Sequence, residues 1–414
     1  MSGFVEELLE RSEALKLVCD SLGFPYKMRT RRVDIDNACG LRLGKDLKAP
    51  EPHPPFPRSL RDGYAVRSAD VIGASPSSPV FLRKCGIVPM GGVVEEPLPH
   101  EGAMQIFTGG ILPCNGDAVV MLEDTEESGP WIEVRKSVMP GENIISRGEE
   151  IATNDVIAEV GDILDFKNIP AACGLGIRQI DVIDLEIGIL STGDEVVDIS
   201  TNPLPPGCVR DVNGVMLHLL LKHYGFHSRF LGIVPDNFRR LKESVENSLE
   251  NFDVIILSGG SSVSSRDFCY DVIQNLGDPG LIVRGINMKP GKPTLIGGIN
   301  KEGSSKLVIS LPGHPLSCSV VARVVLLPLL DMMIGGTRLY EKNFKIIKLK
   351  CLDDFISRSG VEEYIPVSLK FDGVVPVNSK SGYISALKRT AGLAVLPINR
   401  ETTRKGEEIE VILW

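Results

Sequence analysis

From about residue 184 the chain settles into an alternation that few folds can satisfy. Short unbroken apolar runs, at 185–190, 228–234, 253–257 and 307–311, are separated by stretches with helical patterning. A helix over 213–224 stops at Gly225, a second runs from an N-cap at Asp236 through Asn251, and a third covers 317–333. Strands apolar on both sides and joined by helices belong to a parallel sheet with helices on both faces.

The rest of the chain has a different texture. Residues 25–180 are rich in Pro and Gly, and turn signals separate short β-branched runs at 104–107, 118–122 and 131–134. This predicts irregular β-rich N-terminal domains. The Pro-rich stretch 49–57 cannot pair as a central strand and reads as a linker. Residues 1–18 read as an amphipathic helix. Beyond Gly335 and Gly336 short β runs return, at 344–350 and 408–413, predicting a small C-terminal β domain. The 414 residues exceed what one core serves. The fold class is therefore multidomain α/β plus β, around a central, mostly parallel α/β domain.

Each apolar strand of the α/β region runs into a polar, Gly-rich loop: Ser191, Thr192, Gly193, Asp194 and Glu195; then 258–267 with Ser258, Gly259, Gly260, Ser261 and Asp267; then Pro312, Gly313, His314 and Pro315. In open parallel sheets ligands bind outside the carboxyl ends of the strands. Glycines there turn the chain tightly and expose N–H groups to an anion. Pro315 suits the first turn of the following helix, whose N-terminus attracts negative charge. Asp194, Glu195 and Asp267 supply hard oxygen ligands for a cation such as Mg²⁺. Lys289, Pro290, Gly291, Lys292 and Pro293 form a stiff turn carrying two ammonium groups, with Arg210, Arg266 and Arg284 near the loops in sequence. No GxxxxGK[ST] occurs, so a P-loop is excluded, and Gly174-Leu175-Gly176 does not complete GxGxxG.

Charge narrows the ligand class. Lys and Arg number 45 against 54 Asp and Glu, a net −9, which disfavours general nucleic-acid binding and requires a local basic site for any anion. The N-terminus lacks a signal-peptide pattern, and the longest apolar run, around 320–330, is interrupted by Arg323 and Pro328, so no membrane association is expected. Nine scattered cysteines without a CxxC pair indicate reduced thiols and a cytoplasmic setting. His223 and His227 lie four apart, but Gly225 ends the helix that would align them as zinc ligands.

In order, the chain carries Asp62-Gly63-Tyr64-Ala65-Val66, 106–113 with Thr108, 117–120, Pro140-Gly141-Glu142-Asn143-Ile144 with 147–150, then 191–195, Asp211 with Asn213, 258–267, 288–293 and 311–315 with Ser317. Together these resemble the MoeA family, which includes the C-terminal domain of gephyrin. The region 378–396, with Ser381, resembles that family's last domain. The resemblance implies four domains: I at 1–53 and 152–184, II at 54–151, III at 185–338 and IV at 339–414. Domain III is implied to be molybdopterin-adenylyltransferase-like. It also implies a homodimeric molybdopterin molybdenumtransferase that turns adenylyl-molybdopterin and molybdate into molybdenum cofactor and AMP with Mg²⁺, downstream of a molybdopterin adenylyltransferase. On that mapping Asp62, Thr108, Glu195, Asp236, Asp267, Lys289 and Lys292 are catalytic, and Glu195 and Asp267 hold the metal. Ser191, Thr192, Gly193, Asp194, Asn213, Ser258, Gly259, Gly260, Ser261, Pro290, Gly291, Pro312, Gly313, Pro315, Ser317 and Ser381 bind substrate. The chain departs from the family's usual residues at Arg61, Val212, Ser264, Gly285 and His314. Tungstate in place of molybdate, or a gephyrin-like scaffold, is the alternative. The adenylyltransferase alone would lack the domains flanking the α/β region.

Overall fold

The computed structural model describes residues 8–26, 28–259, 268–300, 305–357, 360–377, 380 and 382–414. The chain forms two compact units. One comprises Met1–Lys45, Val160–Asp165 and Asp181–Trp414; the other comprises Asp46–Glu159 and Phe166–Ile180.

The larger unit is built on a six-stranded sheet in the order Ser228–Val234, Ile187–Thr192, Val254–Ser258, Lys306–Leu311, Leu295–Ile299, Pro279–Arg284. The first four strands are parallel, as the alternation predicts. The last two are antiparallel, so the sheet is mixed. The connection between Leu295–Ile299 and Lys306–Leu311 is too short for a crossover helix, which leaves only hairpin pairing. Gly297 and Gly298 hide this strand from an apolar-pattern reading. They are required there: a Cβ at Gly297 would lie 2.3 Å from the Gly280 carbonyl oxygen, and one at Gly298 2.2 Å from that of Lys306.

The helices flanking the sheet follow the sequence with two corrections. Asn213–His223 ends before Gly225, which takes φ 75°. The N-cap of Phe238–Asn251 is Asn237, not Asp236: the Asn237 side chain accepts the Arg240 N–H at 3.1 Å, while the Asp236 carboxylate accepts the Thr192 hydroxyl. Among the described residues the N-terminal helix begins at Arg11, where Glu10 and Glu13 form a capping box. Residues 1–7 of that expected helix lie outside the described residues.

The helix expected over 317–333 is longer. Pro315–Asn343 is continuous through a π-helical turn at Ala322–Leu326 and a break at Gly336. It is long enough, and over its most apolar 18 residues (mean hydropathy 1.9) apolar enough, to cross a membrane, contrary to the expectation, but 89% of that stretch is buried inside the protein. Its two buried charges are answered internally. Asp331 pairs with Arg42 at 2.8 Å, and the Arg323 guanidinium donates to the Leu413 carbonyl at 3.0 Å between the rings of Tyr224 and Phe344. Burial is the main influence on both partners of the first pair, raising the Asp331 pKa and lowering that of Arg42.

The same unit carries a second sheet, in the order Met288–Lys289, Glu362–Lys370, Gly392–Leu396, Glu408–Leu413, Ile346–Lys350. Met288–Lys289 leaves the α/β region to pair in parallel with Glu362–Lys370. The smaller unit is β-rich, as expected. Its sheet runs Ala118–Met121, Gly63–Val66, Gly102–Ile106, Val80–Ile87, Trp131–Val134, Thr125–Ser128 over a core that includes Tyr64, Leu82, Val120 and Ile132. The 49–57 stretch makes bends and one bridge, His53 to Ile151.

Candidate active site

At the carboxyl ends of the parallel strands the chain packs three loops against one another. The Gly259 N–H donates to the Leu311 carbonyl at 3.3 Å, and a Cβ on Gly259 would lie 2.1 Å from the Thr192 carbonyl oxygen. Gly313 sits over Gly259, with 3.6 Å separating its would-be Cβ from the Gly259 Cα. Asn213, first residue of its helix, donates from Nδ2 to the Gly313 carbonyl at 2.8 Å. Ser191, Thr192, Asn213, Ser258, Gly259, Pro312 and Gly313 are thereby brought together. Pro315 opens its helix at the first turn, as expected, and Ser317 is buried within it.

Hydrogen bonds lock the first loop. Ser191 donates to Asp211 at 2.9 Å, and Asp211 in turn accepts the Gly214 N–H at 3.0 Å. Thr192 donates to Asp236 at 2.9 Å, and the Asp236 N–H donates to Asp194 at 3.1 Å. Asp194 is thus engaged in shaping the loop. Glu195 is exposed and folds over Gly193, with its Oε2 2.8 Å from where a Cβ on that glycine would stand. Among the described residues, Asn213 Oδ1 is buried without a hydrogen-bond partner, and the Ser258 hydroxyl has only the buried Cys318 thiol beside it. Buried polar groups are normally satisfied, so a ligand that completes them fits this place. Asp267, Gly260, Ser261 and Arg266 lie outside the described residues, as does Ser381. Among the described residues no group of three His, Cys, Asp or Glu side chains is placed to hold a metal. The carboxylates at this edge, Asp194, Glu195 and Asp236, are hard oxygen donors, which suits a hard cation that takes one or two carboxylates and shares substrate phosphates.

In the Lys289–Lys292 turn both lysines are exposed, and one has a partner. Lys289 Nζ lies 2.7 Å from Glu363 Oε1. Glu363 is buried, and sequence reasoning missed it because nothing local distinguishes it from a surface acid. Gly291, at φ 121°, packs so closely on Val321 that a Cβ would stand 2.5 Å from its Cγ2. Lys292 is exposed, and its carbonyl accepts the Ile286 N–H at 3.0 Å. A cavity of about 490 Å³ joins Lys289, Pro290 and Glu363 to Leu316 in the first turn of the long helix. Two of the three arginines are otherwise engaged: Arg210 donates to the Thr201 carbonyl at 2.7 Å, and Arg284 lies over the Tyr270 ring at 4.4 Å.

In the smaller unit Asp62 and Thr108 form an exposed pair. The Thr108 N–H and hydroxyl both donate to Asp62 Oδ1, at 2.7 and 2.8 Å. These bonds, the backbone one foremost, hold the Asp62 carboxyl below its ordinary range. Gly63 fixes the position of Asp62, because a Cβ on it would lie 1.9 Å from the Val120 carbonyl oxygen.

An α/β sheet with a polar three-loop edge, combined with a β-rich unit and a second sheet, defines a class of multidomain ligand-handling protein. Comparison specifies it. Residues 9–176 match the model of the MoeA N-terminal region, domains I and II; 188–332 match a probable molybdopterin binding domain; 348–414 match the MoeA C-terminal region, domain IV. A molybdopterin biosynthesis protein of Methanocaldococcus jannaschii is 31% identical over 99% of both chains. The molybdopterin molybdenumtransferase of a Nostoc species is 29% identical over 92% of this chain and 88% of its own. A crystal structure of the molybdopterin biosynthesis MoeA protein from Pyrococcus horikoshii superposes with TM-score 0.80 at 31% identity, over 98% of this chain and 99% of the other. The chain belongs to the MoeA family.

Proposed function

We propose that this chain is a molybdopterin molybdenumtransferase of molybdenum cofactor biosynthesis, converting adenylyl-molybdopterin and molybdate to molybdenum cofactor and AMP. The observation that carries this reading is the sheet edge where Thr192, Gly259, Gly313 and Asn213 meet, with the buried Asn213 Oδ1 lacking a partner among the described residues. The substrate combines a pterin rich in donors and acceptors with a diphosphate bridge. Backbone N–H groups of the glycine loops and the N-terminus of the helix at Pro315 favour the phosphates. Lys289 and Lys292 supply positive charge for the molybdate dianion and for charge that builds as the bridge breaks. Glu195 and Asp267 would hold Mg²⁺, which when bound offsets phosphate charge. Asp236, tied to Thr192, keeps the first loop in shape.

The reading includes a homodimer in which the exposed Asp62–Thr108 pair of one chain serves the sheet-edge site of its partner. It places the protein in the cytoplasm, after a molybdopterin adenylyltransferase that supplies the substrate. The nine cysteines, none in a disulfide among the described residues, suit a reducing compartment. The test is metal insertion from adenylyl-molybdopterin, with molybdate and tungstate in parallel, read by AMP release. Release that requires molybdate is the expected result. No release with either oxyanion overturns the reading, and release with tungstate alone reassigns the metal.

A further inference from the structure

We infer that Glu363 is the positioning residue for Lys289, and that it acts on the reaction through that lysine alone; this rests on the anion-handling role proposed for Lys289. The parallel pairing of Met288–Lys289 with Glu362–Lys370 sets residue 289 opposite residue 363. The Glu363 side chain is 11% exposed and that of Lys289 54%. The Ser357 hydroxyl donates to Glu363 Oε2, which leaves Oε1 for the ammonium at 2.7 Å. The carboxylate is therefore held by its strand and by Ser357, while the ammonium is the flexible and accessible member. A lysine ammonium has three donors. One is engaged by Oε1 and the remaining two are left toward the cavity that Lys289, Pro290, Glu363 and Leu316 share. A free lysine would sample many rotamers, and ordering it at each turnover costs free energy. Glu363 imposes that order beforehand.

The arrangement has a second effect of opposite sign. A negative charge next to the ammonium lowers the local attraction for a dianion. Glu363→Gln therefore removes the repulsion and weakens the placement, because the amide oxygen still accepts from the ammonium but carries no charge. Placement governs the reacting geometry, and repulsion governs ground-state binding. The expected signature is a split: kcat falls about tenfold while the KM for molybdate stays level or falls. A purely structural ion pair would instead change stability and leave this split absent.

The experiment measures molybdate-dependent AMP release and the thermal midpoint for wild type, E363Q, E363D, K289Q and K289Q/E363Q. In the K289Q background E363Q is expected to change kcat less than twofold. The double variant, carrying two neutral amides, is expected to regain the midpoint that K289Q loses by leaving Glu363 unpaired, and to stay slow. E363D is expected to recover part of the E363Q loss. Inactive wild type overturns the proposed function, and an active K289Q overturns the lysine assignment. Slow K289Q with E363Q at the wild-type kcat, or with a full E363Q effect persisting in the K289Q background, overturns the positioning role alone.

Discussion

Replacing Gly259 by Ala tests whether the three loops meet as closely as described. The added Cβ would stand 2.1 Å from the Thr192 carbonyl oxygen and 3.2 Å from its carbonyl carbon. Both are backbone atoms at the end of a central strand, so no side chain can swing aside. Reaching ordinary contact needs a displacement of about 1 Å. Gly259 also holds φ 116°, which L residues rarely adopt. Backbone strain of this kind costs about 1–3 kcal/mol, and overpacking of a close-packed site adds about 1–3 kcal/mol. The total, about 2–6 kcal/mol, should appear as a lowered urea midpoint. A shift of about 1 Å in a reacting geometry is enough to cost roughly a hundredfold in rate, so AMP release should fall by about that factor. Gly313→Ala is the matched comparison: its nearest neighbour is 3.6 Å away and its φ is not positive, so its urea midpoint should stay close to wild type. A G259A chain with wild-type midpoint and rate would refute the close approach of Thr192 and Gly259, and with it the loop convergence.

Other consequences can be checked directly. Mixing D62A chains with D267A chains should restore part of the AMP release, since a mixed dimer holds one intact site; no recovery despite demonstrated subunit exchange would exclude the shared site. Thr108→Val removes the hydroxyl but keeps the backbone N–H, the larger cause of Asp62's lowered pKa, so the Asp62 carboxyl followed by NMR should titrate higher, part of the way to its ordinary range. Because the folded value is the depressed one, this contact stabilises above the ordinary carboxylate range and is lost as pH falls through the lowered value; an unmoved titration would remove the hydroxyl from the pair. Asp331→Ala leaves Arg42 buried without its carboxylate and should cost about 3–5 kcal/mol. The R42M/D331L double variant should regain at least half of that by urea unfolding, short of all because the Tyr224 and Gly161 carbonyls lose the Arg42 donors.

Much of this was readable before the structure, for identifiable reasons. The central parallel strands are buried on both faces, so 187–192, 254–258 and 307–311 stood out as mostly apolar runs, and Gly225 marked its helix end. Leu295–Ile299 did not stand out, because its two central glycines answer to the carbonyls of Gly280 and Lys306, which are remote in sequence. Asp236 looked like a cap from local pattern; its actual partner, Thr192, is a tertiary contact. The loops of the site were legible as Gly-rich strand ends. The pairing of Lys289 was not, since parallel strand partners leave no local trace and Glu363 reads as one more surface acid. Helix length was underestimated because Gly335 and Gly336 read as a stop, whereas the helix passes a break at Gly336 and runs on to Asn343.

The strand holding Lys289 belongs by its hydrogen bonds to a sheet encoded almost wholly after it. On the ribosome, residues 254–311 emerge as a nearly complete α/β edge while the partner of Lys289 is still to be translated. At about 5–20 residues per second the roughly seventy residues to Glu363 take ~4–15 s. During that interval the nascent chain carries the glycine loops but an untethered lysine. The site thus gains its shape first and its fixed charge last. A chain that terminates before residue 363 would carry Lys289 without the carboxylate that meets it.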